Sequence, residues 1–409
     1  MKLKVFKQNF TTVYLTVLVI IFSLQGGFIK SPIIKYADEI FALYAMIGIV
    51  INLKKLKKDK KKYRLLTITV LMSAFIVFVG AVSNIYSNLV NCMPILIDMF
   101  GMIKLPIGYM YVLGIVSNKN KKIVLNNLEI VAKVFVLIVF VCGIINSTYD
   151  IGMSYDTRYG LRSYTFLYTN PGGLNGTLFV AYSVICATTF SKEVKYFFEG
   201  MVFISVLMTL RGSGIGVIGV ILMLKMYNYF KKLNKSISVK KLIPVGIGAV
   251  ILAWNQIMQY FIKQTSLRSL MLRNAIVVFK RYFPLGAGFA TYGSDQAFKN
   301  YSRLYYEFGY NDIHMLNRET GRVANDNFWP MILAQFGLLG IVCYLYILYS
   351  QFAYVMKLKV ESEVKITAIG LLAVLLIGSV GNAVYTSASG LLIYIILGLI
   401  LHQSGEVPE

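Results

Sequence analysis

Apolar runs of roughly 17–22 residues recur along this chain between short polar connections, and that length is what a helix needs to cross a bilayer. Only 14% of the 409 residues are charged and 57% are hydrophobic. A soluble domain carries roughly 25% charge. A membrane β-barrel would show short alternating strands, whereas these runs are continuous. The expected fold is therefore an all-α polytopic membrane protein with about 12 transmembrane helices. The spans fall near 10–27, 36–53, 65–82, 95–116, 123–145, 171–190, 196–210, 214–230, 242–262, 326–350, 364–381 and 386–402. The first run follows MKLKVFK as a signal peptide would, but it lacks a small-residue cleavage site and reads as a retained helix. The stretch 196–230 is too long for one crossing and divides at MTLRGSGIGVIG. The stretch 364–402 divides at GNAVYTSASG for the same reason.

The net charge of +23 invites a nucleic-acid partner, yet topology accounts for it. With both termini cytoplasmic, 24 of the 41 Lys and Arg fall in cytoplasmic segments, 13 on the opposite side and 4 within spans. That is the positive-inside bias, so no nucleic acid is expected. The lysine-rich KKLKKDKKKYR connection then reads as a solvated patch facing anionic lipid. The four cysteines lie in or beside apolar runs without metal-like spacing, and the two histidines, His314 and His402, are too few for a zinc site. No metal or cofactor is expected.

One long segment departs from the membrane pattern. Residues 263–325 form a loop expected on the extracytoplasmic face and carrying short helices, far longer than a connection requires. It holds nine Lys and Arg against four carboxylates, counter to the topology bias, which suggests an anionic ligand. Arginine suits phosphate because its fork binds two oxygens at once. Within it, 266–281 reads as a helix with Leu267, Leu270, Met271 and Val278 on one stripe. Arg273 and Lys280 share another stripe, with Arg268 and Arg281 near the helix ends. The alternative is a cationic helix lying on lipid headgroups. FPLGAGF reads as a turn whose glycines allow close backbone approach. Ser294 can cap a helix carrying Phe298, Tyr301, Tyr305 and Phe308, a stripe that reads first as core or interface and second as a sugar platform. At the mouth of the tenth span, NDNFWPM sets Asp326 among Asn325, Asn327 and Trp329. Asp326 there is a general-base candidate or the N-cap of the re-entering helix.

Arg211 is the sharpest single residue. An arginine within a span costs about 2.5–3.5 kcal/mol on insertion scales and marks a partner or a wet cavity. Beside it, Gly212, Gly214, Gly216 and Gly219 read either as an anion cradle at a helix break or as tight helix packing. Lys133 and Lys225 lie near cytoplasmic span ends and can snorkel, while Lys104 is expected to pair with Asp98. The connection INSTYDIGMSYDTRYGLRSYTFLYTNPGG adds Arg158 and Arg162 on the outer face, among tyrosines that read as interfacial anchors.

TLRGSG, YFIKQTSLRSLML, RYFPLGAGFATYGSDQAF and NDNFWPMILAQFGLLG, in that order over about 205–345, resemble bacterial cell-surface polysaccharide polymerases of the Wzy type. These are grouped with the O-antigen ligase and polymerase superfamily. DTRYGLRSYTFLYTNP is similar to that family's earlier external segment. The resemblance implies a metal-independent glycosyltransferase of the bacterial cytoplasmic membrane, serving capsule, exopolysaccharide or O-antigen assembly. Such an enzyme moves a growing glycan from polyprenyl diphosphate onto a lipid-linked repeat unit at the outer face. It implies that Arg211 and Arg268 hold the diphosphate. Asp326 stands where related ligases show a His-Asn pair, so the base is open between Asp326 and His314. Implied partners are the polyprenyl-diphosphate-linked oligosaccharide, membrane lipids, a chain-length regulator and a flippase. The competing classes are a lipid-linked oligosaccharide flippase and a glycan ligase.

Overall fold

The computed structural model describes residues 2–25, 27, 36–56, 60–232, 266–321, 327–358 and 360–401. The ninth expected span and two site candidates, Asn325 and Asp326, lie outside the described residues. The described bundle opens with α1 (Lys2–Gln25), α2 (Ala37–Ile51), the single turn α3 (Leu53–Leu56) and α4 (Lys60–Ser87). It continues through α5 (Cys92–Met110), a π turn at Tyr111–Ile115, α6 (Asn118–Thr148), α7 (Pro171–Thr188), α8 (Lys192–Met208) and α9 (Gly212–Lys232). The long segment supplies α10 (Leu267–Arg281), α11 (Asp295–Lys299) and α12 (Arg303–Glu307), and α13 (Phe328–Lys357), α14 (Ser362–Gly378) and α15 (Ala388–Ile400) complete the chain.

Among the described residues five helices are long and apolar enough to cross a membrane, within α4, α5 with its π turn, α6, α9 and α13. Their outward faces are apolar: Leu71 and Phe78 on α4, Ile130 and Val134 on α6, Val342 and Leu345 on α13 are all exposed. In water such surfaces would drive aggregation, and in hydrocarbon they are the stable arrangement. The chain is thus a helical membrane-embedded protein. α15 sits at the centre, apolar on every side and buried from Gly390 to Leu401, with α5 and α7 packed against it.

An all-helical expectation needs one correction. The connection between α6 and α7 carries an antiparallel hairpin, β1 (Ser154–Arg158) and β2 (Leu161–Tyr164), in which Thr157 pairs with Arg162. Tyr159 and Gly160 turn it with φ of 52° and 76°, the paired positive values that match strand twist in a two-residue loop.

In-span charges find partners inside the bundle. Lys104 does not reach Asp98. Its ammonium donates to Asp38 on α2 at 2.5 Å, with Glu39 at 3.6 Å. Asp98 and Lys104 are six residues apart, which puts them on different faces of α5. Lys225, expected to snorkel, is instead bound to Glu199, with Glu363 at 3.8 Å, so it ties α9 to α8 and α14. Lys133 is held by Glu129 one turn away at 2.5 Å.

The turn after α10 is driven into the bundle. α13 is broken at Gly337 (φ 60°, ψ −153°), which frees the carbonyls of Ala334 and Gln335. The amides of Ala287 and Gly288 donate to those two carbonyls at 2.8 Å each. From α4, the Asn84 amide grips both backbone groups of Phe289, at 2.8 and 2.9 Å, and Ser87 donates to the Ala287 carbonyl at 2.7 Å. Asp98 accepts from the Ala290 amide at 2.6 Å. The close backbone approach expected of FPLGAGF is therefore an approach to α13: a Cβ on Gly337 would lie 2.0 Å from the Pro284 carbonyl oxygen.

Candidate functional site

Four connections meet at one end of the bundle. α8 closes at Thr209 and Leu210, and Leu210 takes φ of 51° before α9 starts at Gly212. Arg211 occupies the break, half-buried, with its guanidinium 5.3 Å from the ring centre of Tyr155 on β1. That distance suits a cation–π contact. Ser163 on β2 donates to the Thr209 carbonyl at 2.8 Å, so the hairpin is anchored to the same break. Of the neighbouring glycines, Gly214 serves helix packing. A Cβ there would stand 2.6 Å from both Val206 and the Asn175 amide nitrogen, whereas Gly219 has nothing within 4 Å.

On the other side, Arg268 in the first turn of α10 donates to the Gly381 carbonyl at 3.4 Å. Gly381 belongs to the turn after α14. Trp329 reaches the same turn, its indole donating to the Ser379 hydroxyl at 2.9 Å. The starts of α10 and α13 are thereby docked on one short connection. Between that connection and the starts of α7 and α9 lies a cavity of about 310 Å³. Asn170, Asn175, Ser213, Asn382, Ser387 and Ser389 give it a polar lining, with Phe179, Val217 and Ile393 as apolar wall. Arg211 stands two residues before the lining residue Ser213, and Arg268 bonds the chain neighbour of the lining residue Asn382, so both belong to the same end of the bundle as the cavity. Among the described residues, no charged side chain lines it.

Asn175 was not singled out from the sequence. It is 4% exposed, and neither its amide nitrogen nor its oxygen has a hydrogen-bond partner among the described residues. Leaving a buried polar group unmatched costs about 1–3 kcal/mol. The signal was an asparagine one turn inside an otherwise apolar run, in NPGGLNGTLFVAYSVIC.

The remaining candidates disperse. Asn327 is buried, with its amide 3.9 Å from the sulfur of Met271. Arg158 pairs with Asp156 on its own strand at 2.9 Å. Arg273 and Lys280 lie exposed on the outer stripe of α10, and Arg281 pairs with Glu307 at 2.5 Å on the surface. His314 is exposed on the turn after Asp312.

The aromatic stripe of α11 and α12 is core. Tyr292, Tyr301, Tyr305 and Tyr310 are buried together under α10 with Met271 and Val278. The Tyr292 hydroxyl donates to the Met271 carbonyl at 2.7 Å and lies 2.7 Å from the Tyr310 hydroxyl, which accepts from Asn274 at 2.9 Å. These rings leave no open face for a sugar. Chemically, this end of the bundle holds two half-buried arginines and, among the described residues, a pocket lined by neutral amides, hydroxyls and apolar side chains. No protein-family model matches the chain, and a search of the curated proteins returns no match.

Proposed function

We propose that the chain is a polysaccharide polymerase, a glycosyltransferase that uses a polyprenyl-diphosphate-linked glycan as donor. In this reading twelve spans place 263–325 on the outer face of a bacterial cytoplasmic membrane. The donor's diphosphate is held by Arg211 and Arg268. A hydroxyl of the acceptor repeat unit attacks the anomeric carbon of the donor's lipid-proximal sugar. The new glycosidic C–O bond forms as the bond from that carbon to the diphosphate breaks, and the bonding pair leaves on the diphosphate. The hydroxyl proton passes to a base, for which Asp326 and His314 are the candidates. The arginines neutralise the charge that grows on the leaving group, the electrostatic contribution that dominates such transfers.

The observation carrying this reading is that Arg211 and Arg268, 57 positions apart in the chain, are brought to the same end of the bundle beside residues that line one cavity. Replacing either arginine by Ala should lower chain elongation about 100-fold or more, as loss of a preorganised charge-stabilising donor does. Single lipid-linked repeat units should then accumulate. Purified protein in vesicles, given donor and acceptor on its outer leaflet, checks this directly. Full-length polymer from both variants would exclude the assignment. Movement of lipid-linked units between leaflets without lengthening would identify a transporter.

A further inference from the structure

We infer that the 310 Å³ cavity is the subsite for the first sugar of the lipid-linked donor, and that Asn175 is the residue that reads it. This rests on the glycosyl-transfer reading and adds to it the division of the substrate between two places.

The lining decides between sugar and phosphate. A diphosphate carries at least two negative charges, and a pocket built for it places cations or free helix-end amides against its oxygens. Among the described residues, no charged side chain lines the cavity. At two of the three helices that begin beside it, an amide of the first turn is already taken: Asn170 accepts from Gly173 at 2.9 Å, and Ser387 accepts from Gly390 at 3.1 Å. What remains is a set of neutral amides and hydroxyls beside the apolar surfaces of Phe179, Val217, Val374 and Ile393. A pyranose ring presents the complement, with hydroxyls around its rim and C–H groups on its faces. The volume lies at the lower end of that seen for small-molecule pockets.

Asn175 gives the cavity its specificity. Its side chain is buried, borders the cavity, and has both a donor and an acceptor without a partner among the described residues. A vicinal pair of sugar hydroxyls, or a hydroxyl beside an acetamido group, supplies one donor and one acceptor at matching spacing. Gly214 keeps the amide in place, since any side chain there would meet the Asn175 nitrogen. The diphosphate then lies outside the neutral pocket, with the arginines.

The test uses the full-length protein in nanodiscs and two probes. One is the lipid-linked oligosaccharide that accumulates in cells lacking this protein. The other is polyprenyl diphosphate without sugar. The wild-type protein should bind the sugar-bearing lipid about tenfold more tightly than the bare diphosphate. Asn175→Leu, which keeps the branching at Cγ and removes both polar atoms, should abolish that difference and leave binding of the bare lipid unchanged. It should also raise the melting temperature of the ligand-free protein, because an unmatched buried amide is removed. Asn175→Ala serves as the second variant should Leu not fit. Equal weakening for both lipids would place the diphosphate in the cavity and overturn the inference. Unchanged discrimination in the variants would overturn it as well. Bare diphosphate bound by wild type but not by Arg211→Ala, with no preference for sugar, would leave the transfer reading standing and remove this one. Failure of wild type to bind either lipid would remove both.

Discussion

Residues of one type in one short run do different work here, and the glycines after Arg211 show it. Gly214 faces Val206 and Asn175 at 2.6 Å from a would-be Cβ, while Gly219 faces open space. Gly214→Ala should therefore destabilise the protein by about 1–3 kcal/mol through overpacking between α7, α8 and α9. Gly219→Ala should be neutral or stabilising by about 0.5–1 kcal/mol, since Ala favours the helix without meeting a neighbour. Thermal unfolding in detergent separates the two, and equal melting temperatures would remove the packing account. The sequence could flag the run but not tell its members apart, because which glycine faces another helix depends on rotation about α9. The same limit explains Lys104. Its cost in a span was legible, but its partner Asp38, 66 positions away, was a matter of which helices are neighbours.

At the scale of elements, length and hydropathy made the break at Arg211 legible, because the 35-residue stretch 196–230 is too long for a single crossing. The insertion of the 283–290 turn into the break of α13 was not legible. Gly286, Gly288 and Gly337 each look like ordinary turn or packing glycines, and only their meeting gives them a shared purpose. The hairpin was missed for a related reason: Tyr159 at positive φ stands where Asn or Asp usually signals such a turn. The tyrosine core beneath α10 makes a prediction of its own. Burial pushes the Tyr310 phenol up to about 12 and the Tyr292 and Tyr305 phenols well above their ordinary value. An ordinary phenol titrates near pH ~10. Because the folded state favours the neutral form, this stability is full below pH ~10 and is lost as pH rises through about 12. Hydrogen exchange over residues 292–316 should therefore lose protection between about pH 10 and 12 beyond the intrinsic rate increase. Tyr310→Phe should flatten that loss, and a profile identical to wild type would contradict the assignment.

For the whole molecule, the decisive quantity is which end of the bundle faces out. The helices fix the answer relative to one another. The starts of α7, α9, α10, α13 and α15 share one end with the hairpin, Arg211 and Arg268. The start of α4 and the close of α13 lie at the other, where Arg64 and Lys357 border a common cavity. Lys192 and Lys195 at the start of α8 belong to that second end, since α8 closes at Thr209 beside the hairpin. In the proposed topology the second end, favoured by the positive-inside bias, faces the cytoplasm, and the basic 266–321 segment lies outside against the trend. A background with Cys92, Cys142, Cys186 and Cys343 replaced allows single reporters at Glu319→Cys and Lys192→Cys, both exposed positions. In right-side-out vesicles a membrane-impermeant maleimide should label position 319 at once and position 192 only after permeabilisation. The reverse pattern would carry both arginines into the cytoplasm together, because Arg211, Arg268 and the cavity cannot be turned over separately. No outer-leaflet lipid diphosphate could then reach them, and the polymerase reading would end there, whatever the variants of Arg211 and Arg268 did to growth of the glycan.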